Sequence, residues 1–228
     1  MKYIKVLGID LAKNVFQIHG TDDRGNCVLR KRLSRTKFIE FMATLSPCII
    51  GIEACGGSHY WSRYFQRLGH EVRMMSPQFV KPYVKSNKND RNDSEAIAEA
   101  CTRPHMRFVP VKTIEQQDIL MIHRARELAI KQRTAQANQI RGFLNEYGVI
   151  MAKGISKINL LLTILEENKA KLTPIMIELI THLYEKFKLY DGQVKKYDKQ
   201  LEAMAKGNPV CQEIQKIDGV GPITATAI

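Results

Sequence analysis

The stretch YIKVLGIDLAKNVFQIHGTDDRGNCVLRKR, residues 3–32, decides how the chain begins to fold. Residues 3–9 are rich in apolar and β-branched side chains and end at Asp10. After a polar break at Lys13 and Asn14 the same pattern resumes over 15–19. Asp22-Asp23-Arg24-Gly25-Asn26 gathers the residue types that favour a tight turn, and 27–32 read as a third strand. Three short strands joined by tight turns predict an antiparallel meander.

Further along, Thr36 stands where it can cap a helix running to about Leu45. Residues 48–52 are a short apolar run, consistent with a buried strand, and stop at Glu53. Gly56-Gly57-Ser58 leads into a helix over 59–68, with Ser58 suited to the N-cap and Gly69 to the C-terminal stop. Within it Tyr60, Trp61, Tyr64, Phe65 and Leu68 recur at helical spacing and read as core. Residues 70–75 predict another strand, closed by Pro77, and a basic, Asn-rich loop then turns into a helix over 90–101. Strands alternating with helices imply right-handed crossovers onto a central mixed sheet with helices packed over it. This α/β order is the one used by ribonuclease-H-like domains. It makes the first and fourth strands neighbours, with Asp10 and Glu53 at their ends.

Arg103-Pro104 opens a break that runs to Pro110, and from about Thr113 the composition becomes helical. Ile119, Ile122, Leu128, Ile140, Phe143, Leu144 and Tyr147 are the larger apolar positions of a first long helix. Leu183, Phe187, Tyr190, Val194, Tyr197, Leu201 and Met204 step by fours and threes in a second. That heptad-like pattern predicts a coiled-coil hairpin or a helical partner, with self-association through residues 172–206. Lys216-Ile217-Asp218-Gly219-Val220-Gly221-Pro222 reads as a glycine hairpin entering a helix, with backbone N–H groups at Gly219 and Gly221 able to hold a phosphate. The organisation expected is therefore 1–112, 113–206 and 207–228. Because the chain stops at Ile228 inside a helix just begun, the last of these is expected to be the start of a longer domain.

Thirty-five Lys and Arg against 23 Asp and Glu give a formal charge of +12, which favours a polyanionic partner, nucleic acid first. The five cysteines form no Cys-x-x-Cys pair, and only Cys55 with His59 approaches ligand spacing, so zinc and a disulfide framework are not expected. The early Asp10 argues against a signal peptide, and no apolar run approaches the ~20 residues that span a bilayer. The expectation is a cytoplasmic protein acting at the nucleoid.

Asp10, Glu53, Asp90 and Asp93 are the candidate chemistry. Asp90 and Asp93 are three residues apart and can share a helical face. Carboxylates pointing one way repel unless a divalent metal, or the flanking Lys88 and Arg91, stands between them; alternatively, Asp90 or Asp93 merely caps the helix. Clustered carboxylates hold hard cations such as Mg²⁺ or Mn²⁺, and such ions assist phosphodiester chemistry. Lys81, Lys85, Lys88 and Arg91 beside the acids, with Arg124 and Arg133 on the first long helix, are candidates for contacts to nucleic acid. Tyr83 could stack on a base.

Gly8-Ile9-Asp10, residues 53–61, Val80-Lys81-Pro82-Tyr83-Val84-Lys85 and residues 88–96 resemble, in that order, the DEDD-type insertion-sequence transposases, recombinases with a RuvC-like N-terminal domain. The resemblance covers essentially the whole chain. It implies that Asp10, Glu53, Asp90 and Asp93 are the family's metal-binding tetrad, that 113–206 are its coiled-coil middle, and that a noncoding guide RNA pairs with donor and target DNA. It also implies a nucleophilic serine in a second domain, which no serine in this sequence matches. Ser58 is expected to be a helix cap and Ser94 to serve the start of its helix. A non-catalytic nucleic-acid-binding and assembly fragment, and a junction-resolving nuclease, are the alternative functions.

Overall fold

The computed structural model describes residues 3–84 and 90–228, apart from the side chains of Asp90 and Arg91. The expected phosphate contacts at Lys85, Lys88 and Arg91, and the expected ligand carboxylate of Asp90, therefore lie outside what is described. The chain divides into two compact units, Met1–Lys112 and Thr113–Ile228.

The first unit is built on a five-stranded sheet: β1 (Val6–Asp10), β2 (Val15–Thr21), β3 (Cys27–Ser34), β4 (Ile49–Glu53) and β5 (Glu71–Met75), in the order β3-β2-β1-β4-β5. β1 to β3 form the antiparallel meander, while β4 pairs parallel with both β1 and β5. The mixed sheet with covering helices is consistent with a ribonuclease-H-like α/β fold. Alternation along each strand sends side chains to opposite faces. On one face Leu7, Ile9, Phe16, Ile18, Ile50, Ile52 and Met74 are buried with Phe38 and Met42 of α1 (Arg35–Thr44) and Trp61 and Phe65 of α2 (Ser58–Arg67). Phe16 and Phe38 stack at 4.3 Å between centroids, with Trp61 edge-on to both.

On the other face lie Val6 and Met75, covered by α4 (Asp90–Ala100) through Ala96, Ile97, Ala98 and Ala100 and by Cys101 just beyond it. β5 leads into α3 (Pro77–Val80) and a 3-10 turn, Lys81–Tyr83. The outer edge of β5 is occupied by the connector that closes this unit. Met75 bridges Phe108, and the Val109 N–H donates to the Met74 carbonyl at 2.7 Å.

Three local expectations are corrected. α1 is capped at Ser34, not Thr36, because the strand hands directly into the helix and Thr36 already lies inside it. α2 is capped at Gly57, whose φ of 89° is a left-handed conformation that glycine adopts without a Cβ penalty, so Ser58 becomes the first, buried helical residue. Tyr60 is 46% exposed, because Trp61 and Phe65, four apart, form the stripe turned to the sheet and Tyr60 sits one position off it. Gly69 does end α2, with φ of 86° and its N–H bonded to the Gln66 carbonyl.

The second unit is dominated by α5 (Ile114–Glu146) and α7 (Pro174–Gly207). Thr113 and Gln116 cap α5 reciprocally in a capping box. Arg126 pairs with Asp198 and Arg133 with Asp191, so one index falls as the other rises and the two helices run antiparallel. α6 (Leu161–Glu167) and neighbouring turns close one end, burying Ile158, Leu161 and Leu165 with Leu144, Ile180 and Phe187. Of the heptad-like positions, Leu183, Phe187, Val194 and Leu201 are buried inside this unit. Those four positions pack within one chain, while Ile175, Leu179 and Leu189 of the same segment stay exposed. Leu128, one of the larger apolar positions of α5, is exposed and shares a seven-residue spacing with exposed Ile114 and Met121. α8 (Pro209–Ile214) and α9 (Pro222–Ala225) pack Cys211 and Ala225 on Ala205 of α7. Among the described residues no helix is long and apolar enough to cross a membrane.

Candidate functional site

The sheet topology explains why Asp10 and Glu53, far apart in sequence, meet. β1 and β4 are parallel neighbours whose last register pair is Ile9 with Ile52, so the next residue on each strand is one of the two carboxylates. Asp10 also faces Gln17 across β2, and Glu53 faces Met75 across β5. Both acids are half-buried. Cys55 reports their proximity: its thiol is pushed up first by burial, then by the negative charge of Glu53 and of Asp10. Two carboxylates so placed are hard oxygen donors of the kind that divalent cations prefer.

By alternation Asp10 shares the face of Gly8, and Glu53 the face of Gly51, which is the face covered by α4. The cover is close. A Cβ on Gly8 would lie 2.3 Å from the Ser94 carbonyl oxygen and 2.5 Å from the Ala98 nitrogen, and one on Gly51 would lie 2.8 Å from Cys101 Sγ. These glycines are what allow α4 to lie against the two strands. Positions 93, 94, 97, 98 and 101 follow the helical spacing that faces the sheet, and Ser94, Ile97, Ala98 and Cys101 are buried there. Asp93 lies in the first turns of α4 and is half-buried, so it is not a cap; nor does Ser94 sit at the helix start. Among the described residues no group of three or more His, Cys, Asp or Glu is arranged to hold a metal. The chemistry of the strand pair fits a divalent cation, and the described residues supply two adjacent carboxylates toward it.

Sequence reading missed a charged chain on the same face of the sheet. His19, opposite Gly8 on β2, is buried and accepts a hydrogen bond from Arg30 Nε at 3.3 Å. Arg30 also pairs with Glu95 of α4. Burial holds the imidazole below its ordinary value, Arg30 lowers it further, and Glu95 partly offsets this. His19 and Arg30 are register partners of the β2–β3 hairpin, so strand alternation could have paired them. Glu95 joins only through the packing of α4.

The basic candidates fall in different settings. Lys81 is exposed at the start of the 3-10 turn, and Arg124 is exposed on α5. Arg133 is only 18% exposed and bonds to Asp191 at 2.8 Å, so its charge serves the helical hairpin rather than a nucleic-acid surface. Gly219 turns the chain with φ of 83°, and Gly221 is the N-cap of α9; both are exposed.

A mixed sheet with carboxylates at the ends of neighbouring parallel strands, under a helix that carries Asp93 in its first turns, defines the class of α/β domain. Comparison with known proteins gives the family. Residues 7–149 match the IS110-type DEDD family, described as transposase. The chain is 44% identical over 229 aligned positions to the transposase for insertion sequence element IS1111A of Coxiella burnetii, covering all of this chain and 63% of that protein. It is 41% identical to a probable family 20 transposase of Pseudomonas aeruginosa, over 97% of this chain and 66% of that one. It is 40% identical to the transposase for insertion sequence element IS1328 of Yersinia enterocolitica, over all of this chain and 68% of that one. The chain belongs to the IS110-type DEDD transposase family of insertion sequences, and it spans about two thirds of the length of these relatives.

Proposed function

We propose that this chain works in DNA transposition, in the metal-dependent cleavage and joining of DNA strands. Its centre is assigned to Asp10, Glu53, Asp90 and Asp93. The observation that carries the reading is the position of Asp10 and Glu53 at adjacent ends of parallel strands, which sets two hard oxygen donors side by side. Mg²⁺ or Mn²⁺ bound there would neutralise and polarise a phosphodiester. The protein's part is to hold the carboxylates on the rigid sheet, with α4 seated on Gly8 and Gly51. A net charge of +12 supports polyanionic partners. DNA is assigned as substrate and a noncoding RNA of the element as guide, on the strength of the family. Copies of the chain would associate through the helical region, residues 172–206, where Ile175, Leu179 and Leu189 stay exposed.

Calorimetric titration of Mg²⁺ and Mn²⁺ into the wild-type chain and Asp10→Asn tests the centre without requiring turnover. Saturable heat in the wild type and its loss in the variant are expected, with unchanged thermal unfolding in metal-free buffer. Equal heats in the two proteins would sink the assignment.

A further inference from the structure

A second site lies apart from the carboxylates, in a cleft of about 600 Å³ in the first unit. One wall comes from α3 and the 3-10 turn and carries Phe79 and Tyr83; the other is the segment after α4, with Arg103, His105 and Arg107. Phe79 is 38% exposed, although its neighbour Val80 is fully buried. The Arg103 guanidinium stands over the Tyr83 ring at 5.6 Å and pairs with Glu99, which fixes the ring and uses much of that charge within the fold. Arg107 and His105 are exposed at the rim, and Lys81 is exposed beside it. Neither segment that forms the walls, 77–84 or 103–108, contains an Asp or Glu. An open, cationic cleft that keeps one aromatic face in water matches the chemistry of a base with its phosphate. A stacked duplex withholds base faces, so the ligand class is an unpaired nucleotide. The cleft also follows directly from Met75, the register partner of Glu53, at the end of the sheet that bears the acids.

We propose that this cleft binds an unpaired nucleotide of single-stranded nucleic acid, with Phe79 against the base and Arg107 on the phosphate. The proposal takes from the preceding reading only that nucleic acid is the partner.

The test is fluorescence anisotropy with labelled single-stranded DNA, single-stranded RNA of the same sequence, and the corresponding DNA duplex. Wild type, Phe79→Ala and Arg107→Ala are compared at several salt concentrations. Phe79→Ala is expected to weaken single-strand binding about tenfold, the size of one lost base stack, with duplex affinity unchanged. Arg107→Ala is expected to weaken single-strand binding and reduce the slope of log affinity against log salt by about one. Losses on DNA alone, RNA alone or both support the cleft and name the strand it takes. Wild-type single-strand affinity in both variants, or equal losses on single strand and duplex, overturns it. Both side chains are solvent-exposed, and metal titration of Phe79→Ala should match the wild type, so failure here is distinguishable from failure of the metal centre.

Discussion

The sheet unit and the helical hairpin solve the same packing problem at different ranges. In the hairpin, partners follow one another along two antiparallel helices, so Arg126–Asp198 and Arg133–Asp191 are steps of one simple register. In the sheet unit the pieces that matter come from distant segments and meet at single points. The glycines show the contrast best. Gly8 and Gly51 have helix α4 where a side chain would be, whereas Gly142 in α5 and Gly192 in α7 have nothing within 4 Å of an added Cβ. The same methyl group is therefore an obstruction in one unit and a helix-stabilising addition in the other.

Gly8→Ala should produce the largest effect. Its Cβ meets backbone atoms that cannot rotate away, so α4 must lift, at a cost of about 3 kcal/mol. Trp61, the only tryptophan, is buried in the sheet unit, so its fluorescence in a urea titration isolates this loss. An unmoved midpoint would mean that α4 does not bear on β1 as described. Gly192→Ala should act oppositely and less strongly, stabilising α7 by roughly 0.5–1 kcal/mol in unfolding followed by helical circular dichroism. Destabilisation there would show that the apparent open space is filled.

The smallest effect is the response to mild acid. His19 and His70 are buried in the sheet unit, and burial is the main cause holding both below the ordinary value of 6.5. The unfolded chain therefore takes up protons first as pH falls below 6.5. The stability that depends on these neutral rings is complete above that pH and lost as pH falls toward their lowered folded values. The hairpin unit holds one such histidine, His123, so the sheet unit should be the more acid-sensitive. The Trp61 unfolding midpoint should fall between about pH 7 and pH 5, and replacing both buried histidines with Gln should flatten that slope. A flat wild-type profile would contradict their burial.

How much could be read beforehand follows the same division of range. Alternation and the turn at 22–26 were enough to find the meander, and the apolar run before Glu53 was enough to find β4; both strands end on their acids. The register that sets Asp10 beside Glu53 followed from the order of elements. Contacts made when layers close left no local trace. Nothing in Gly8-Ile9 announces a helix carbonyl overhead, and Glu95 carries no mark of Arg30. The stripe of α7 was visible, but periodicity alone does not say whether its partner is the same chain or another, and here α5 is close enough to take it. Gly57 displaced Ser58 as a cap because a left-handed entry turn depends on backbone shape rather than on a side-chain oxygen.

The connector along β5 has a consequence for colloidal behaviour. An open sheet offers two flanks to neighbouring molecules, and these are guarded differently. The β3 flank carries Arg30, Lys31 and Arg32, whose like charges discourage another copy from docking. The β5 flank is met at its Met74–Met75 end by Phe108 and Val109. A short length of chain that looks like mere linkage thus acts as a stopper, keeping one protein from growing onto the next.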